Sequence, residues 1–274
     1  MSKLIVETNR VGDIPVLTVA QEGVAARPIV FAMHGFGGRK EHLLGLGTHL
    51  ARRGLFVVAF DTAHHGERAD GKLETFDDPA ACVYPAASGL DRYVFMHELV
   101  VQTGQDVAAL LDHYRHDRRA DVSRCGVTGL SMGGFAAHYL AATQGSIRAA
   151  APIIGMPAFA ERWEDSLLEA WTYVEWREQL ERSQPAIAEH TAFIRSIDPF
   201  DKLMEYAPRP LFMLCGDQDT DQPKVYSVRL LRALLPAYAG QPDRLRLKIY
   251  DGVRHELTEP MIEDVAGWLA LQLT

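Results

Sequence analysis

Cysteine is scarce in this chain: Cys82, Cys125 and Cys215 are the three among 274 residues. An odd, sparse count without metal-ligand spacing argues against a disulfide-stapled scaffold and points to a reducing compartment. Cys125 and Cys215 lie in or beside apolar runs and are expected as small core residues. Positive charge is also in deficit. Lys and Arg number 28 against 36 Asp and Glu, a net charge of −8. That balance argues against a nucleic-acid partner, which needs clustered cations to neutralise phosphates. The densest basic run, Arg115 to Arg119, ends a predicted helix, where cations meet the negative end of the macrodipole. No apolar run reaches membrane-spanning length. The opening residues MSKLIVETNR carry no apolar signal region. A soluble, cytoplasmic chain with no membrane partner is expected, and a homodimer is left open.

What the chain does have is a regular alternation of two patterns. Short apolar, β-rich runs recur at 4–7, 14–20, 28–33, 55–60, 122–128, 149–154, 210–215 and 245–250. Several are continuously apolar, as suits strands covered on both faces of a parallel sheet. The first two read better as an antiparallel edge hairpin. Helix-like stretches at 41–53, 90–114, 132–143, 223–238 and 259–271 separate the later strands. Strand–helix alternation predicts an α/β fold, a doubly wound and mostly parallel eight-stranded sheet.

One segment, 155–199, breaks the alternation. It reads as two helices, 157–181 and 185–196, inserted into a single domain spanning 1–274. Phe159, Trp163, Leu167, Trp171 and Val174 make an apolar stripe on the first. The other faces are acidic. The insertion is expected to pack onto the sheet and to roof a binding cleft, with Trp163 and Trp171 as candidate substrate-binding residues. Its acidic outer face disfavours strongly anionic substrates.

Chemistry enters at Gly129-Leu130-Ser131-Met132-Gly133. This G-x-S-x-G lies between a predicted strand and a predicted helix. Small residues two positions either side allow the sharp turn that lifts a serine hydroxyl clear of a sheet. A serine hydroxyl needs a base, and the base needs an orienting acid. His255, after the last predicted strand, is the best-placed base. The loop after the preceding strand, GDQDTDQP, offers Asp217, Asp219 and Asp221. Asp219 is preferred, and its neighbours compete. Backbone N–H groups of Met132 and of Phe36, in His34-Gly35-Phe36-Gly37-Gly38, are candidate oxyanion donors. That glycine-rich loop lacks phosphate-loop spacing. Asp61, His64 and His65 lack a third histidine at ligand spacing, so no metal is expected. Asp61 and Arg68 are expected in structural pairs near the cleft rim.

These motifs, with DTAHHGER at 61–68 and GVRH at 252–255, resemble the α/β-hydrolase superfamily along nearly the whole chain. Within it the chain is similar to small bacterial carboxylesterases of the dienelactone-hydrolase-like and prolyl-oligopeptidase-like branches. The resemblance implies a Ser131–Asp219–His255 triad, no cofactor, and hydrolysis of small, short-acyl esters through an acyl-enzyme. Dienelactone hydrolases proper use cysteine where this chain has Ser131, so that substrate is not expected. Thioesterase, acyltransferase or cofactor-free C–C hydrolase chemistry on the same triad is the alternative, and a non-catalytic ligand-binding homologue is the weaker third reading.

Overall fold

A computed structural model describes residues 3–23 and 26–274. Eight strands form one sheet: β1 (Leu4–Val11), β2 (Ile14–Gln21), β3 (Arg27–Met33), β4 (Phe56–Phe60), β5 (Ala120–Leu130), β6 (Ile147–Ile153), β7 (Leu211–Gly216) and β8 (Leu245–Tyr250). Their order is β1-β2-β4-β3-β5-β6-β7-β8. The β1–β2 hairpin and the β2–β4 pair are antiparallel, and every later pair is parallel. This is the doubly wound sheet expected of the apolar runs. The hairpin closes from Val11 to Ile14 with Gly12 at φ +59°, a conformation glycine adopts without a Cβ penalty.

The central strands are apolar on both faces because both faces are covered. Ile29, Phe31 and Met33 of β3 enter one core, with residues of α2 (Ser88–Tyr114), α3 (Met132–Thr143) and the later helix Val225–Leu234. Val30 and Ala32 enter the other, with α1 (Leu44–Arg52) and the final helix Glu259–Leu273. The two-residue period of a strand sorts one run into two cores. Parallel strands run their C-terminal ends to one edge, and the loops leaving that edge carry the candidate site.

Between β6 and β7 the chain forms α4 (Phe159–Thr172), α5 (Arg177–Arg182), α6 (Gln184–Ile197) and the short α7 (Leu203–Tyr206). The single helix expected over 157–181 is therefore broken. Tyr173 is extended (φ −82°, ψ 111°), and the Arg177 side chain donates to the Trp171 carbonyl across the break. The run Thr172-Tyr173-Val174 gives the local reason, since β-branched and aromatic residues lose side-chain freedom in a helix. The remaining helices are α8 (Val225–Leu234) and α9 (Glu259–Leu273). No helix among the described residues is long and apolar enough to cross a membrane.

Candidate active site

Ser131 stands between β5 and α3, at φ +54° and ψ −114°. A non-glycine residue holds such a conformation only where its surroundings over-determine it. Here the surroundings are glycines. A Cβ on Gly129 would strike the Gly133 carbonyl, and one on Gly133 would strike the Met33 carbonyl at the end of β3. The turn is thus as tight as backbone contact allows, and the Ser131 N–H is anchored to Ile153 O at 3.0 Å.

Two loops from the same sheet edge reach the serine. His255 follows β8, and its Nε2 lies 2.8 Å from Ser131 Oγ. Its Nδ1 lies 2.9 Å from Asp219 Oδ2, in the loop after β7. The three candidate acids separate by what they touch. Asp219 is buried, and its other oxygen accepts the N–H groups of Asp221 (3.0 Å) and Gln222 (2.8 Å). Asp217 accepts the Gly252 N–H at 2.7 Å and so ties the two loops together. Asp221 is exposed. With Nδ1–H directed at a carboxylate, the imidazole presents Nε2 to the serine as an acceptor.

The loop after β3 closes the other side. A Cβ on Gly35 would lie 3.5 Å from the Ser131 Cβ, so the loop that carries Phe36 packs against the serine turn. The Met132 N–H is the first of α3 and has no acceptor in its own helix.

That loop is fixed from beneath. Lys40 is buried, and its ammonium lies 2.8 Å from the carboxylate of Asp61, which is also wholly buried. The Lys40 N–H (2.8 Å) and the Glu67 N–H (3.0 Å) also donate to Asp61. Burial alone would raise the Asp61 carboxyl; Lys40 and these N–H donors outweigh it and hold it below its ordinary value. Arg68 pairs with Asp106 at 2.6 Å. His34 donates from Nδ1 to Gly35 O and accepts the Thr62 N–H at Nε2, and its ring lies 5.1 Å from that of His65. Burial lowers the His34 imidazole to about 4, against its bond to Gly35. The Phe36 ring rests edge-on against His65, at 5.5 Å. Lys40 gave no signal in the sequence, where it stands in a charged GRKEH run. His64 turns outward to Asp70, away from His65.

One of the two tryptophans expected to bind substrate is corrected. Trp163 is wholly buried, and its indole N–H donates to Thr191 Oγ1 at 2.8 Å, fastening α4 to α6. It offers no surface to a ligand. Trp171 packs half-buried against the core and lines no part of the cleft beside α4. Trp176 lines that cleft, whose lining includes none of Ser131, Asp219 and His255. The break at Tyr173 turns Trp176 onto a different face from the one a continuous helix would give it.

A comparison with protein families matches residues 94–269 to the prolyl oligopeptidase family. The chain belongs to that family. Two relatives share the full length with this family member. One is YitV of Bacillus subtilis (strain 168), whose name carries a provisional esterase assignment; it is 24% identical, over 98% of this chain and 99% of its own. The other is esterase YjfP of Escherichia coli (strain K12), 24% identical over 94% of this chain and 95% of its own. Among solved structures, TT1662 from Thermus thermophilus superposes with a TM-score of 0.69 at 23% identity, covering 99% of this chain and 98% of the other. The fold is that of the α/β-hydrolases.

Proposed function

We propose that the protein is a serine carboxylesterase acting on small esters. The observation that carries this reading is the His255 imidazole held between Ser131 Oγ and the Asp219 carboxylate, at 2.8 and 2.9 Å. The esterase names of two full-length relatives support the reaction class.

In this reading Ser131 Oγ attacks the ester carbonyl while His255 Nε2 takes its proton. The carbonyl oxygen becomes an oxyanion between the Phe36 and Met132 N–H groups. His255 then gives the proton to the departing alcohol, which leaves an acyl-enzyme on Ser131. Water attacks the acyl-enzyme by the same route and frees the acid. Asp219 holds the imidazole tautomer and balances the charge that His255 acquires. No step calls on a cofactor. The helices between β6 and β7 act as a cap over the site. The cysteines are unpaired, which suits a protein of the reducing cytoplasm.

The test is hydrolysis of p-nitrophenyl esters from acetyl to decanoyl by the wild type and by Ser131→Ala. Turnover should fall by about 10⁴-fold or more in the variant at unchanged melting temperature. Activity retained by folded Ser131→Ala refutes the assignment. Faster turnover of matched thioesters moves the reading to a thioesterase.

A further inference from the structure

The edge of the sheet opposite the candidate triad carries a cluster of positive charge. β6, β7 and β8 begin there, at Ile147, Leu211 and Leu245, whereas Asp219 and His255 lie in the loops that follow β7 and β8. The six residues of β7 span about 20 Å, so one small ligand cannot touch both edges. Between these strand starts and the end of α7 lies a cavity of about 220 Å³. Arg148, Arg209 and Arg244 line it, together with Glu205 and Pro208.

Acids outnumber bases in this chain, 36 to 28, yet among the described residues none of these three arginines makes an ion pair. Backbone carbonyls hold them instead. Arg209 donates to Ile147 O at 2.6 Å, Glu205 O at 3.1 Å and Gln144 O at 3.4 Å. Arg148 donates to Ser123 O and Arg244 to Pro208 O, each at 3.3 Å. A guanidinium has five N–H donors, so each of the three keeps donors free. Carbonyls fix its position without neutralising its charge. Arg209 is half-buried, and Arg148 and Arg244 are exposed. Burial pushes the Arg209 guanidinium below its ordinary value; Tyr238 and Tyr206 resist, and Arg148 adds to the push more than Glu205 opposes it. The cavity therefore gathers three cations that repel one another, with one exposed carboxylate, Glu205, in its lining.

An anion with more than one charge and several acceptor oxygens completes such a cluster. A carboxylate offers one charge and two coplanar oxygens, which suit a single arginine. A phosphate monoester carries nearly two charges on three oxygens spread around phosphorus, and guanidinium groups match it. The net charge of −8 repels an extended polyanion from the surrounding surface, which favours a small ligand.

We propose that Arg148, Arg209 and Arg244 form a binding site for a small phosphate-bearing anion, at the sheet edge remote from Ser131. The ligand ties the starts of β6 and β8 to the segment leading from α7 into β7, and so stabilises the fold without touching the reacting atoms.

The experiment is calorimetric titration with inorganic phosphate and with glycerol 3-phosphate, at an ionic strength held constant with sodium chloride. The wild type should bind glycerol 3-phosphate with a Kd of about 1 mM or tighter. Arg148→Gln and Arg244→Gln should each weaken binding by about tenfold, as expected for loss of a charge-assisted contact. These two are chosen because they are exposed, whereas Arg209 also holds backbone; melting temperatures check that they fold. Glu205→Gln should tighten binding by about threefold at low salt. Equal affinity for both ligands assigns the site to free phosphate, and tighter glycerol 3-phosphate assigns it to organic monoesters. No binding to the wild type overturns the proposal. So does affinity unchanged in both arginine variants, or weaker binding in Glu205→Gln. The titration needs no ester turnover, so its outcome is separate from that of the esterase reading.

Discussion

Lowering the pH from 7 to 5.5 should strip this fold of several kcal/mol of stability. Three histidines are wholly buried and held far below the ordinary imidazole value: His34 and His97 at about 4, His138 at about 3. Burial is the leading cause in each. Geometry adds to it. Protonating His34 Nε2 would turn it toward the Thr62 N–H that it now accepts. His97 Nε2 and His138 Nε2 are buried without a partner among the described residues, the first against Phe135 and Phe159 and the second beside Tyr206. In the unfolded chain all three take up protons below about pH 6.5. The unfolded state then binds more protons than the native state, so stability is intact above pH 6.5 and falls as pH drops toward 4. Each group contributes about 1.4 kcal/mol per pH unit within that window. Between pH 7 and 5.5 the three together remove about 4 kcal/mol, a large share of the roughly 5–15 kcal/mol of an ordinary domain. Urea unfolding followed by tryptophan fluorescence at half-unit pH steps measures this directly. His97→Phe should cut the slope by about a third. A loss below about 1 kcal/mol over that interval refutes the reasoning, as does a slope that His97→Phe leaves untouched.

Two further outcomes follow from the loops around Ser131. Lys40→Met leaves the buried Asp61 carboxylate without its cation, so urea unfolding should show a loss of about 3–5 kcal/mol; a change below 1 kcal/mol would mean that the Asp61 N–H donors suffice alone. Asp219→Asn should lower kcat by about 10³–10⁴-fold, because the amide no longer fixes the imidazole tautomer. Asp217→Asn, which weakens only the tie to Gly252, should lower kcat by less than about tenfold, and equal losses in the two variants would reverse the choice between these acids.

The strands were legible because their signal is local. A continuous apolar run such as Pro28 to Met33 can be stable only when both faces are covered, and β3 enters two cores. The Ser131 turn was legible for a similar reason, since Gly129 and Gly133 mark backbone contacts that no side chain could share. The choice of acid was harder. Asp217, Asp219 and Asp221 are alternatives within five residues, and what separates them is the distant partners Gly252 and His255. Lys40 was invisible for the same cause. A lysine in a charged run is normally a solvated one, and its burial depends on Asp61, 21 residues away. The insertion shows how one local error spreads. Periodicity over 157–181 joined two helices across Tyr173, and Val174, placed in the apolar stripe beyond the break, is exposed. The stripe pointed to Trp163, which became core, and passed over Trp176, which reached the cleft. The same stretch looked acidic because composition counts charges without their partners. Once Glu161, Glu164 and Asp165 are tied to α8 and α6, Arg162 and the exposed Glu169 are the charges left facing the cleft beside α4. Net charge along a helix is therefore a poor guide to the field inside a cleft, and the pairing of each acid decides which ligand that field favours.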